Sequence, residues 1–289
     1  MRSTCARAIF PIALAVILAA APLSLSAQDS RAAKSLFLEN ATWVEAEKAL
    51  KGYDVALIAL GARSKEHGPH LPLKNDYVLA ESLMKRVAAE VPVVVLPTLP
   101  YGYYPAFLEY PGSISIGAET FKNVVVDICK SMHGCGIDKF YCLNTGVSTI
   151  GPLEEASKDL AALGIVLRSL NVLEVDKALP AGLLKQEGGT HADENETSMM
   201  LYLAPEIVEM SKAVKDYDPR PGRRGLTRDP QGKGSYSATG VFGDPTLATR
   251  EKGKVIVEAT VREIVRQVRE LIALKPGRPV PPARAGSPR

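Results

Sequence analysis

Histidine, cysteine and tryptophan are scarce in this chain: 289 residues hold four, four and one of them. No two cysteines form a Cys-x-x-Cys pair, which excludes the usual thiolate zinc frameworks. Long apolar runs are lacking too. The one candidate, residues 12–21, is only ten residues long, short of the roughly 20 that a spanning helix needs. It follows Arg2 and Arg7 and precedes Ser24-Leu25-Ser26-Ala27, so residues 1–27 read as a cleaved signal peptide. The mature chain is then exported, periplasmic or secreted, with no stable membrane anchor. Cleavage removes Cys5 and leaves Cys129, Cys135 and Cys142. Three thiols cannot all pair, so no disulfide framework follows, although a Cys129–Cys135 bridge stays open. An excess of charge of one sign is also absent. The whole chain has 35 basic and 32 acidic residues, and losing Arg2 and Arg7 leaves 33 against 32. That balance argues against nucleic acid or an anionic membrane as the main partner.

What is present alternates between strand-like and helix-like segments. Strands are expected at 55–60, 93–96, 139–143 and 165–175, with helices at 77–90, 119–132, 153–163, 196–210 and 254–274. This order predicts an α/β fold with a mostly parallel sheet covered on both faces. Residues 28–274 fit one domain, and 275–289, with five prolines and no acid, read as a disordered tail. Residues 215–253 show little periodicity; a loop of that length in a compact domain is usually functional or packed on a partner subunit. Trp43, in an amphipathic N-terminal segment, reads as core, and His133 as a dipole partner at a helix C-terminus.

The most informative stretch is Glu66-His67-Gly68-Pro69-His70-Leu71-Pro72 with Asp76. Two imidazoles and two carboxylates leave the end of an apolar strand, where open α/β sheets place their ligand sites. Imidazole nitrogen and carboxylate oxygen suit zinc, manganese or iron. The competing reading is a surface loop with Asp76 as a helix cap. A second constellation, Thr190-His191-Ala192-Asp193-Glu194-Asn195-Glu196-Thr197-Ser198, opens a helix. Acids there are ordinarily capping groups, which is the preferred reading of Asp193, whereas His191 and Glu196 are harder to assign that way. The third, Asn144-Thr145-Gly146-Val147-Ser148-Thr149, follows a strand; its hydroxyl, amide and backbone N–H groups suit a carbonyl, carboxylate or phosphate, although a plain strand-to-helix turn is the slightly preferred reading. A fourth gathers tyrosines, Tyr101-Gly102-Tyr103-Tyr104 and Tyr110, which either line a pocket or pack a long loop.

Taken together these segments resemble the creatininase (creatinine amidohydrolase) family. The resemblance runs from His67-Gly68-Pro69-His70-Leu71-Pro72-Leu73 through Asp76, Tyr101-Gly102, Tyr110-Pro111-Gly112-Ser113 and His191…Glu196-Thr197-Ser198. It ends at Gly240-Val241-Phe242-Gly243-Asp244-Pro245, and spans roughly residues 36–273. It implies a three-layer α/β/α domain, usually a homohexamer, that binds two divalent metals and hydrolyses a C–N bond in an amide or cyclic amide. By the same resemblance His67 is a metal ligand, Asp76 the bridging carboxylate, and His191 and Glu196 the proton-transfer groups. Two departures stand out. Lys65 occupies the place of the glutamate in the family's Glu-x-His, and Gly146 and Ser148 stand where the loop after a strand supplies ligands.

The expectation is therefore a reduced centre: one zinc, manganese or iron on His67 and Asp76, completed by Glu66, His70 or Glu196. A second version puts the Lys65 ammonium where a metal would be, leaving a metal-poor or metal-free pocket. Ser148 would steady an oxyanion, and His70, Lys65, Asn144, Thr145, Tyr101 and Tyr104 would meet a small-molecule substrate. The alternative function is an exported binding protein that kept the pocket and lost the chemistry.

Overall fold

Six consecutive apolar residues, Val55–Leu60, form the central strand β2, and all six are fully buried. Alternate side chains serve opposite faces, as the strand period demands. Val55, Leu57 and Ala59 enter one core, and Ala56, Ile58 and Leu60 enter the other. A computed structural model describes residues 34–218 and 225–275 of the chain. The segment expected to be a signal peptide, 1–27, and nearly all of the expected tail, 275–289, lie outside those residues.

The main sheet has five strands, all parallel. They are β1 (Leu36–Phe37), β2, β3 (Val94–Val95), β4 (Lys139–Asn144) and β5 (Val166–Ser169), in spatial order β1-β3-β2-β4-β5. Helices α2 (Asn75–Glu90), α6 (Glu194–Leu203) and α7 (Arg250–Ala273) cover one face, and α3 (Ala118–His133) and α4 (Ile150–Ala161) the other. The fold is thus three-layer α/β/α, as the alternation predicts. The short helices α1 (Trp43–Ala49) and α5 (Val172–Lys177) complete the set, with a two-stranded sheet of β6 (Leu226–Thr227) and β7 (Ser235–Tyr236) in the long loop.

The chain leaves β2 for α2 on one face and leaves β4 for α4 on the other, and these two strands are neighbours, with Leu60 opposite Asn144. Their carboxyl ends therefore define a switch point at which the two following loops diverge and open a crevice. Thr145 Oγ1 donates to the Leu60 carbonyl at 3.0 Å and holds the two exits together.

Several local expectations need correction. The strand expected over 165–175 ends at Ser169, because Asn171 accepts the Leu173 N–H through its side chain and starts α5. The helix expected over 196–210 is α6, two residues earlier, and stops before Pro205. Trp43 is not core: it stands in the first turn of α1 and is 77 % exposed. Cys129, Cys135 and Cys142 are all free thiols.

Candidate active site

The loop after β2 turns sharply at Gly68 and returns to α2, so Lys65, Glu66 and His67 end up in one buried cluster with Asp76 in the first turn of that helix. His67 Nδ1 lies 2.9 Å from the Lys65 carbonyl oxygen, which can only accept, so Nδ1 carries a proton. Its other nitrogen, Nε2, lies 2.6 Å from Asp76 Oδ1. Two lone pairs do not approach so closely, so a proton lies between the two atoms, and an ion bound at Nε2 would take that proton's place. The remaining oxygen of Asp76 is held by Lys65, Nζ to Oδ2 at 2.6 Å. Burial works against the Asp76 carboxylate, but the charges and hydrogen bonds of His67 and Lys65 outweigh it and keep it ionised. The Lys65 ammonium is backed by two rings, 5.3 Å from the centroid of Tyr104 and 4.9 Å from that of Phe107.

His191 approaches from the other side. Asp193 caps α6 by accepting the Glu196 N–H, the capping role expected of it, and this presents His191 and Glu196 to the loop after β2. Between them Ala192 is fully buried with φ of 48°, a left-handed conformation rare for a residue with a side chain. The segment around Phe242 clamps His191 by paired backbone hydrogen bonds, Phe242 N to His191 O at 2.9 Å and His191 N to Phe242 O at 3.3 Å. The aperiodic stretch 215–253 thus packs directly on the site.

His191 Nε2 lies 2.9 Å from the Glu66 carbonyl and 3.0 Å from Glu66 Oε2, so this nitrogen is a donor and Nδ1 is the one turned toward Glu196. Nδ1 is 3.7 Å from Glu196 Oε2, which itself accepts the Ala192 N–H. Burial pushes the Glu196 carboxyl up, with His191 opposing and the Asp76 charge adding to the rise, to about 7. A carboxyl that gains and loses a proton near neutrality is suited to acid–base work. Burial also raises Glu66, but the His191 hydrogen bond and charge and the Gly68 N–H prevail and lower it.

His67, His191 and Glu196 each offer a donor atom, all within 4.8 Å of one another. With Asp76 Oδ1 beside His67, the set fits one divalent ion. It does not fit two. Lys65 holds the outer oxygen of Asp76, Gly146 has no side chain, and Ser148 Oγ is turned away to donate to the Tyr103 carbonyl at 2.6 Å. Asn144 is folded inward, its oxygen accepting from Thr149 Oγ1 and Gly146 N and its amide donating to Gly146 O. Glu66 faces His191, and His70 Nε2 bonds Thr197 Oγ1 at 2.8 Å, so these two do not join the His67–His191–Glu196 set.

Lys65, His191 and Glu196 of the cluster line a cavity of about 880 Å³, together with Asn144, Thr145 and Ser148. The rest of its lining mixes apolar side chains, among them Leu79 and Leu83 of α2, Leu173 of α5, Met199 of α6 and Ile256 of α7, with Glu109, Asn195, Lys233 and Thr260. Tyr104 is buried behind Lys65, and Tyr101 is about half exposed; neither lines the cavity, whereas Tyr103 and Phe107 do. Phe107 is the residue that sequence reading misses. It stacks at 4.4 Å on His191 and backs Lys65, and its only signal is its place in the tyrosine-rich loop.

The sequence model described as Creatininase (creatinine amidohydrolase) matches residues 39–268, and the chain belongs to that family. The creatinine amidohydrolase of Pseudomonas putida is 27% identical over 261 residues, covering 82% of this chain and 97% of its own. A mycofactocin precursor peptide peptidase of Mycobacterium tuberculosis is 30% identical, covering 73% and 83%. The 3-dehydro-scyllo-inosose hydrolase of Thermotoga maritima is 28% identical, covering 86% and 87%. Among solved structures, a manganese creatininase superposes with a TM-score of 0.69 at 26% identity, over 83% of this chain and all of its own. A mutant creatininase of Zn-Zn type gives 0.70 at 25% identity, over 84% of this chain and all of that one.

Proposed function

We propose that this chain is an exported hydrolase that opens a C–N bond of an amide or cyclic amide, with at most one divalent ion per chain. The observation that carries the reading is the convergence of His67, His191 and Glu196, the last two of which line a cavity large enough for an organic substrate. His67 and His191, with Asp76 Oδ1 beside them, would hold the ion, leaving the Glu196 carboxyl next to it for proton transfer. When bound it supplies a Lewis acid for the carbonyl and an acidified water. The chain's own part is proton transfer and exclusion of water. Glu196, with its carboxyl near neutrality, takes a proton from the attacking water and returns it to the leaving nitrogen. Its backbone anchor on Ala192 N–H keeps the carboxyl in place through both steps. Asn144 and Ser148 use their side chains within the protein, so the backbone of this loop rather than the Ser148 hydroxyl borders the substrate.

The relatives act, by their names, on creatinine, a precursor peptide and a cyclitol derivative, so membership fixes the site more than the substrate. The apolar side chains of the lining favour a substrate with an apolar portion beyond the scissile amide. Export and homo-oligomeric assembly belong to the same proposal.

The test is a panel of lactams, hydantoins and N-formyl amides on residues 28–289, with binding and turnover both scored and metal measured by elemental analysis. Turnover that Glu196→Gln lowers by about 10²- to 10⁴-fold supports the reading. Tight binding of panel members without turnover, with or without added zinc or manganese, supports the binding protein instead, which the missing donors at Gly146 and Ser148 would then explain.

A further inference from the structure

A lysine that is 3 % exposed needs a permanent partner, and Lys65 has one in the fully buried Asp76. We infer that Lys65 is a resident cation that takes the place of a second metal ion at Asp76 in this fold. Its ammonium lies 2.6 Å from Asp76 Oδ2, while the other oxygen of the same carboxylate faces His67 and the ion-sized donor set. A carboxylate with a cation on each oxygen is the arrangement a metal pair would create. Here one of the two cations is covalently part of the chain.

Three further observations fix the ammonium where it is. Lys65 N donates to the Leu73 carbonyl at 3.0 Å and its own carbonyl accepts from His67 Nδ1, so the backbone is held on both sides of the residue. The rings of Tyr104 and Phe107 flank the ammonium and favour a cation over an empty space. The loop after β4 is closed on itself through Asn144 and Thr149 and directs no nitrogen or carboxylate at Asp76. Because Lys65 also lines the cavity, it supplies a positive charge there without any dependence on metal supply. The cation replacement stands on geometry alone. Only its use toward a substrate oxygen rests on the hydrolase reading.

The experiment compares the mature wild type with Lys65→Ala, which makes room, and Lys65→Met, which removes charge but fills the space. Each is equilibrated with zinc or manganese, or with ethylammonium chloride, and ion content and melting temperature are read. The wild type is expected to hold no more than one ion per chain and to ignore ethylammonium. Lys65→Ala is expected to melt about 10 °C lower, and to regain most of that shift with ethylammonium or by taking one more ion than wild type. Lys65→Met should fall as far and regain nothing. Two ions in the wild type would overturn the inference, a result that needs no variant to fold. A Lys65→Ala protein as stable as wild type, or one indifferent to every added cation, would overturn it as well. No substrate enters these readings, so a failed amide screen leaves them standing.

Discussion

The carboxylate of Glu66 and the imidazole of His191, 125 positions apart, are in direct contact, Oε2 to Nε2 at 3.0 Å. The other carboxylate oxygen accepts the Gly68 N–H, and the backbone at Gly240 packs so close to it that a Cβ there would overlap it. Each oxygen thus faces a donor, an arrangement only a carboxylate can satisfy on both sides. Glu66→Gln keeps the shape but sets an NH₂ against one of the two N–H groups. The expected result is a fall in kcat of about 10-fold to 100-fold with KM nearly unchanged, since His191 loses its orientation and not the substrate its pocket. Steady-state kinetics on any amide found by the screen, beside melting curves for both proteins, reads this out. An unchanged kcat would mean the contact is only structural.

His70 gives a pH-dependent contribution to stability. Burial, aided by the His67 charge, lowers its pKa to about 4 from the ordinary 6.5, so the folded state keeps it neutral where the unfolded chain protonates it. Between those two values the unfolded state binds more protons, so stability falls as pH drops from 6.5 to 4 and the loss is complete below 4. The full effect is about 3 kcal/mol. Asp76 and Glu66, lowered in the fold, add losses of the same sign at lower pH. The difference between wild type and His70→Gln isolates the histidine: urea midpoints at pH 7 and pH 4.5 should diverge for wild type by more than for the variant. Parallel shifts would show that His70 is not held neutral.

Much of the fold was legible because its signals are local. The runs 55–60 and 140–143 are apolar on both faces, as a covered parallel strand requires, and they became the bulk of β2 and β4. The misreadings share a cause, namely that tertiary contacts or a single cap decide between alternatives the pattern leaves equal. Val172 and Val175 look like strand residues until Asn171 caps the turn before them. At the site, His67 and Asp76 sit nine positions apart and were visible as a pair. The approach of Lys65 to Asp76 was one of two versions the sequence left open. The Glu66–His191 contact was hidden, because adjacent residues on an extended strand point apart. The turn at Gly68 bends the loop so that Glu66 and His67 both reach into the cluster.

Ser148 was expected to steady an oxyanion, and its geometry leads to a different result. Its hydroxyl donates to the Tyr103 carbonyl at 2.6 Å and so ties the loop after β4 to the tyrosine-rich loop. Ser148→Ala should change kcat by less than about threefold, far below the 10²-fold or more lost with a true oxyanion donor, and lower stability by about 1 kcal/mol. Kinetics and denaturation midpoints on the same preparation separate the two roles. A hundredfold loss of kcat at unchanged stability would return Ser148 to the chemistry.

Gly253 connects the packing of the helical layer to the site. It lies in the first turns of α7 against α6, and a Cβ added there would overlap the carbonyl oxygen of Ser198 and crowd Tyr202. The obstacle is backbone, so no rotamer change relieves it, and α7 must move away from α6. Gly253→Ala, which in an isolated helix would be stabilising, is therefore expected to destabilise by about 3 kcal/mol. Because α6 carries Glu196 two residues before Ser198, the same displacement should lower turnover, while Gly151→Ala, at a helical glycine with open space around it, serves as the control and should leave turnover unchanged and stability no lower than wild type. Urea denaturation of the two variants beside wild type decides it: equal midpoints for all three would mean that the two helices are not in the close contact described.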